Sequence, residues 1–319
     1  MARTHSSPGI GYALVVAGAL FFIVNAGVSR VALRAGVDPA LLTTLRTTGS
    51  AAVLALVVLF FDRRAFRIPR GRELLMLVVL GVVGVAGVQW TYNIAIDRIP
   101  VGMALLLEYL APVLVVLWAK FVQKQDVKRT MWLAVAFSLT GLALVAQIAT
   151  GLAFDGIGML AGLGAAVCFS VYFLVGEYGV HDSDPVRVML WAFVFAGLAM
   201  NLVAPVWNLS GVGLGADADL LGALSGITVP LWAVLAWIVV LGSLTPFFLE
   251  LAALQHLPAT VVTMVATLEP VGAAALGWVW FGESLDALQV FGGLLVIVGI
   301  LIAQTARPAP TPAVPEVGG

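Results

Sequence analysis

Two stretches of this chain, 95–147 and 253–305, run in parallel without a gap, and each holds a pair of apolar segments opened by a proline. Pro258, Pro270 and Gly299 each fall 158 positions after Pro100, Pro112 and Gly141. Any two hairpins rich in Ala, Val, Leu and Gly look alike. Proline is different: it has no amide hydrogen and clashes with the preceding turn, so matched prolines at matched spacing point to duplication of a structural unit.

Composition decides where such units fold. Of 319 residues, 61% are hydrophobic and 10% charged, whereas ordinary soluble domains carry about 25% charged residues. A bilayer core takes roughly 20 apolar residues per helical crossing. Ten crossings can be read off, at 11–33, 40–61, 73–96, 101–121, 130–149, 156–178, 186–207, 231–254, 259–281 and 287–305. The apolar run that follows the first arginine is longer than a secretory signal core, so it reads as a retained first helix. The expected fold is an all-α integral membrane protein. Segment 208–230, rich in Gly, Ser and Asp, is its longest connection, and the Pro/Ala-rich tail 307–319 is expected to be disordered. A net charge of −1 leaves no basic field for nucleic acid. The single Cys168 has no second thiol for a disulfide or a shared metal.

With the amino terminus cytoplasmic, twelve of the sixteen Lys and Arg residues lie on the inside, among them Arg63 to Arg72 and Lys120 to Arg129. Arg30, Arg34, Arg46 and Arg98 fall toward the outside. The cation excess sets both termini in the cytoplasm, with Arg30 and Arg34 against the rule. Five crossings per half is an odd number, so the halves, 1–150 and 151–306, are expected to be inverted repeats. The equivalent turns then face opposite sides: 123–129 carries Lys124, Lys128 and Arg129, and 281–286 carries Glu283 and Asp286.

Leu268-Glu269-Pro270, then Phe281-Gly282-Glu283-Ser284-Leu285, then Gly292-Gly293 and Gly299 resemble the second repeat of EamA-type carriers in the drug/metabolite transporter superfamily. Arg98-Ile99-Pro100 followed by Glu108-Tyr109-Leu110-Ala111-Pro112 is similar to the first repeat, although Gln123-Lys124-Gln125-Asp126 stands where many relatives carry a Gly-Glu pair. The stretch from Leu244-Thr245-Pro246 to Leu285 is more loosely similar to the family's threonine and homoserine exporters. The resemblance implies ten helices in two halves and an inner-membrane carrier of small organic solutes.

Such a carrier needs a polar site in lipid, where a central charge costs at least about 2.5–3.5 kcal/mol and so calls for a partner or a task. Arg46 and Glu108 lie about 9 and 10 Å below the outer side at 1.5 Å per residue, and an ion pair between them is expected, either a structural lock or part of a site. Gln89, Trp90, Tyr92 and Asn93 reach the same level, and with Arg46 and Glu108 they suit a small polar solute with an apolar body. Trp90 and Tyr92 would equally suit the interfacial belt, and Gln89 and Asn93 interhelical hydrogen bonds. Glu269 is about 16 Å deep, a candidate proton carrier or a carboxylic acid that only fixes its helix. Glu250 and Glu108 are further candidates, though Glu250 is close enough to Gln255 to snorkel to the inner surface. Asn25 and Tyr172 are possible contributors from helices 1 and 6, with end-of-helix packing as their plainer reading.

An enzyme would need a nucleophile with a base, or a metal cluster, yet His5, His181 and His256 fall in predicted tails or loops. No GxxxxGK[ST] loop is present for an ATP-driven pump. The reading is a secondary carrier working by alternating access, exporting small amino-acid-like metabolites with possible proton coupling and no cofactor or metal. An exporter of organic cations or drugs, a passive channel and a non-transporting scaffold are the alternatives.

Overall fold

The computed structural model describes residues 8–61, 63–99, 101–145, 155–211, 213–282 and 286–305. Pro100, Glu283, the last residues of the fifth expected crossing and the 307–319 tail lie outside them.

Helices α1 (Pro8–Arg34) and α2 (Pro39–Phe61) open the chain. Asp38 starts α2 by accepting from the amides of Ala40 and Leu41 at 2.9 and 3.1 Å, which satisfies donors that a helix start leaves unpaired. The third crossing is α3 (Gly71–Val79), a π-helical segment Leu80–Gly87, and α4 (Val88–Arg98). The fourth is broken into α5 (Val101–Glu108) and α6 (Ala111–Phe121). Then come α7 (Arg129–Val145), α8 (Gly156–Asp182) and α9 (Pro185–Val203), the last two capped by Asp155 and Asp184. Segment 208–230 holds an antiparallel hairpin, β1 (Asp217–Asp219) with β2 (Thr228–Pro230). Beyond it lie α10 (Leu231–Val239), a second π segment Val240–Leu244, and α11 (Thr245–Ala253). A second broken crossing, α12 (Ala259–Ala266) and α13 (Leu268–Phe281), precedes α14 (Ala287–Thr305).

Among the described residues, eight helical runs are long and apolar enough to cross a membrane, and Arg129–Val145 and Ala287–Ala303 are shorter apolar helices. The chain is thus a multi-pass membrane protein, and among its described residues the strands are those of the small hairpin.

The offset of 158 recurs in the backbone. The break at Tyr109 maps onto the break at Thr267, and Val240–Leu244 maps onto 82–86 inside the first π segment. The most extensive helix pair is α7 with α14, and its contacts are reciprocal. A Cβ on Gly141 would meet Gly292 O and stand 2.8 Å from Val296 N. A Cβ on Gly299 would stand 2.8 Å from Ala134 O and 3.0 Å from Ser138 N. Shifting 134, 138 and 141 by 158 gives 292, 296 and 299, so each helix presents the same patch to the other. Only glycine admits backbones this close, and the close approach replaces the hydrophobic force that lipid does not supply between helices.

Candidate functional site

A cavity of ≈530 Å³ lies between α1, α2, α4, α5 and α13. Its wall at one end of the bundle is formed by Arg30, Leu33, Pro39 and Phe281, and its floor by Phe22, Phe169 and Phe247. Between them it takes in Asn25, Arg46, Gln89, Tyr92, Asn93, Glu108 and Glu269. Seven of the ten residues expected to matter from sequence therefore share one chamber. Trp90 is not among the lining residues and is 41% exposed on the bundle's outer surface. Tyr172 and Glu250 lie behind the wall, fully buried.

Arg46 does not pair with Glu108. Its Nε donates to Ser243 Oγ at 2.7 Å and its Nη2 to the Gly242 carbonyl at 3.1 Å. A π segment frees carbonyls by widening the turn, and this one is where Gly242 and Ser243 meet the guanidinium. Asn25 packs on the same spot, since a Cβ on Gly242 would collide with its amide, and it accepts from Ser29 Oγ at 3.3 Å. Three crossings converge here.

Asn93 Nδ2 donates to Thr43 Oγ1 at 2.7 Å, tying α4 to α2. Gln89 spends its amide nitrogen on Val85 O at 3.1 Å in its own helix, while its Oε1 is buried with no partner among the described residues. That oxygen is an acceptor held ready in the wall. Glu108 ends α5 one residue before the break, and Glu269 sits just after the matching break. Both carboxyls thus lie where the backbone turns out of its ladder.

Below the floor, Phe22 meets Phe247 edge-on at 5.1 Å, and Tyr172 meets Phe247 at 5.2 Å and Phe173 at 5.1 Å. The Tyr172 hydroxyl donates to Phe247 O at 2.6 Å, so this phenol closes the chamber and does not line it. At the opposite end, the Arg30 guanidinium lies 4.5 Å from the Phe281 ring centre. The hairpin is strapped beside it by Trp280 Nε1 donating to Leu220 O at 3.0 Å.

Sequence reasoning missed Ser243, Tyr109 and the floor rings. Ser243 and Tyr109 were visible as polar residues inside apolar runs, but their partners lie on other helices.

A model of the EamA-like transporter family matches this chain twice, over residues 9–147 and 156–305. The chain is 23% identical over 276 residues to the threonine/homoserine exporter RhtA of Salmonella typhimurium strain SL1344, covering 85% of this chain and 84% of that one. It is 24% identical over 264 residues to RhtA of Escherichia coli K12, covering 81% and 79%. A crystal structure superimposes with a TM-score of 0.72 at 20% identity, over 93% of this chain and 97% of the other. With both copies of that family pattern accounted for, the protein belongs to the EamA-like transporter family.

Proposed function

We propose that this transporter is a plasma-membrane carrier that exports small amino-acid-like metabolites by alternating access, with proton coupling. The observation that carries the reading is the single chamber holding Arg46 together with Glu108 and Glu269. A zwitterion has a carboxylate for the guanidinium and an ammonium for the carboxyls, and the Phe22, Phe169 and Phe247 floor accepts a short apolar side chain. The relatives named as threonine/homoserine exporters support this class.

The two halves, 1–150 and 151–306, act as inverted five-helix repeats in a ten-helix carrier. Support comes from the shared offset of breaks and π segments, and from the antiparallel reciprocity of α7 and α14. Carriers of this plan rock one repeat against the other around a central site. With both termini cytoplasmic, the Arg30 and Phe281 end faces outward, and the ring cluster seals the inner side.

A second reading has one observation behind it. Two of the donor positions of Arg46, Nε and Nη2, are engaged by Ser243 and Gly242, which makes the carboxyls the less compensated charges and favours an organic cation.

Counterflow of threonine in proteoliposomes decides between them. Wild-type protein should show saturable counterflow, and Arg46→Gln should weaken threonine binding about tenfold, equivalent to about 1.4 kcal/mol. Fast flux that does not saturate would instead mean a channel. Counterflow of tetraphenylphosphonium without threonine counterflow would assign the organic-cation reading.

A further inference from the structure

Glu250 on α11 is the most deeply buried carboxyl of this chamber region, with 0% of its surface exposed. It does not snorkel. From α1, Gly18 packs so close that a Cβ there would stand 3.2 Å from Glu250 Cγ. The Glu250 carboxyl meets that of Glu269 on α13, and the Tyr109 hydroxyl lies against Glu269. Glu108 on α5 and the Tyr172 phenol on α8 complete the titratable groups near enough for the pair to sense. None of these is a cation, and Arg46 is turned to Ser243 and Gly242.

Among the described residues, Glu250 Oε1, Glu250 Oε2 and Glu269 Oε1 are buried and have no donor. An ionised carboxylate offers only acceptors, so two of them in contact satisfy neither. Two negative charges in a low-dielectric interior also repel, and like-charged carboxyls sharing a site hold a proton between them. One proton removes both costs, because one O–H then donates to the facing carboxylate in a short charge-assisted bond. A metal ion is a poorer occupant: no group of three His, Cys, Asp or Glu side chains among the described residues could hold one.

We propose that Glu250 and Glu269 form a carboxyl pair that binds a single proton across the chamber floor. Glu269 lines the chamber and Glu250 does not. The proton therefore enters on Glu269, and transfer breaks the O–H bond there as a new one forms on Glu250. The pair follows from the buried, unpartnered oxygens of Glu250 and Glu269, while its use in driving export rests on the carrier reading above.

Acid-minus-alkaline infrared difference spectra of the purified full-length protein test the pair without any substrate. Wild-type protein should show the C=O stretch of one protonated carboxyl at neutral pH. That band should be lost in Glu250→Gln and in Glu269→Gln and kept in Glu108→Gln. Glu250→Asp should retain it at a shifted frequency, which separates loss of the acid from loss of the fold. A wild-type spectrum without the band, or a band unchanged in Glu250→Gln, overturns the proposal. Threonine counterflow on the same preparations keeps the two readings apart. The band without wild-type counterflow would sink the carrier and spare the pair, and counterflow without the band would do the reverse.

Discussion

The two broken crossings share a backbone and differ in where they carry acid. In the first, Glu108 precedes the break and position 111 is alanine; in the second, Glu269 occupies the position equivalent to 111, and the equivalent of Glu108 is Ala266. The proline and the interrupted helix thus recur in both crossings, while the ionisable groups differ. One break presents its carboxyl to the chamber, and the other presents it to both the chamber and Glu250. The connections diverge in the same way. The turn after α2 carries Arg63, Arg64, Arg67 and Arg70, whereas the stretch after α9 builds a hairpin with Asp217 and Asp219.

The comparison is broken most directly by exchanging the acids for amides. Glu269→Gln should abolish the dependence of threonine efflux on a pH gradient, while Glu108→Gln should keep that dependence and raise KM about tenfold, a loss of about 1.4 kcal/mol in binding. Equal loss of gradient dependence in both variants would erase the proposed division of labour. Next in size, Gly141→Ala and Gly299→Ala should each destabilise the purified protein by about 1–3 kcal/mol through overpacking at the α7 and α14 crossing. Thermal denaturation in detergent should find the two costs alike, and a large inequality would show that the reciprocity is superficial.

The smallest effect belongs to the hairpin, which among the described residues lies only in the second half. Asp219 accepts from the amides of Leu221 and Gly226 at 2.6 and 2.8 Å, and these bonds hold its carboxyl below the ordinary aspartate value. A depressed carboxyl contributes order that is fully present above the unfolded value, about 3.9, and is lost as pH falls through the folded value beneath it. Hydrogen exchange at the Gly226 amide should therefore stay slow from neutral pH to about pH 4 and lose protection only in stronger acid. Asp219→Ala should remove that acid transition and leave counterflow intact.

Much of this was legible in the chain itself. Runs of apolar residues gave the helices, and counting 1.5 Å per residue put Arg46, Gln89, Asn93 and Glu108 at one level and Glu269 deeper, near the midplane. Depth is one coordinate of three, however. The direction in which a side chain leaves its helix depends on the turns before it, and Leu80–Gly87 and Val240–Leu244 widen those turns without a distinctive residue pattern. Arg46 therefore finds Ser243 and Gly242 in place of the expected Glu108. Glu250 was misjudged for a related reason: five residues of separation from Gln255 fit a group near the surface, but the packing of α1 on α11 walls it in.

In the proposed carrier, the rings beneath the chamber set the conditions under which its far side can part. Phe22, Phe169, Tyr172 and Phe247 meet through edges and faces, each such pair adding about 0.5–1.5 kcal/mol beyond area burial, and the one hydrogen bond among them joins a phenol to a carbonyl. No full charges need be separated to spread them. Ionic strength, which weakens contacts between exposed charges, should leave the rate of that movement nearly untouched, while trimming a single phenylalanine to leucine should quicken it.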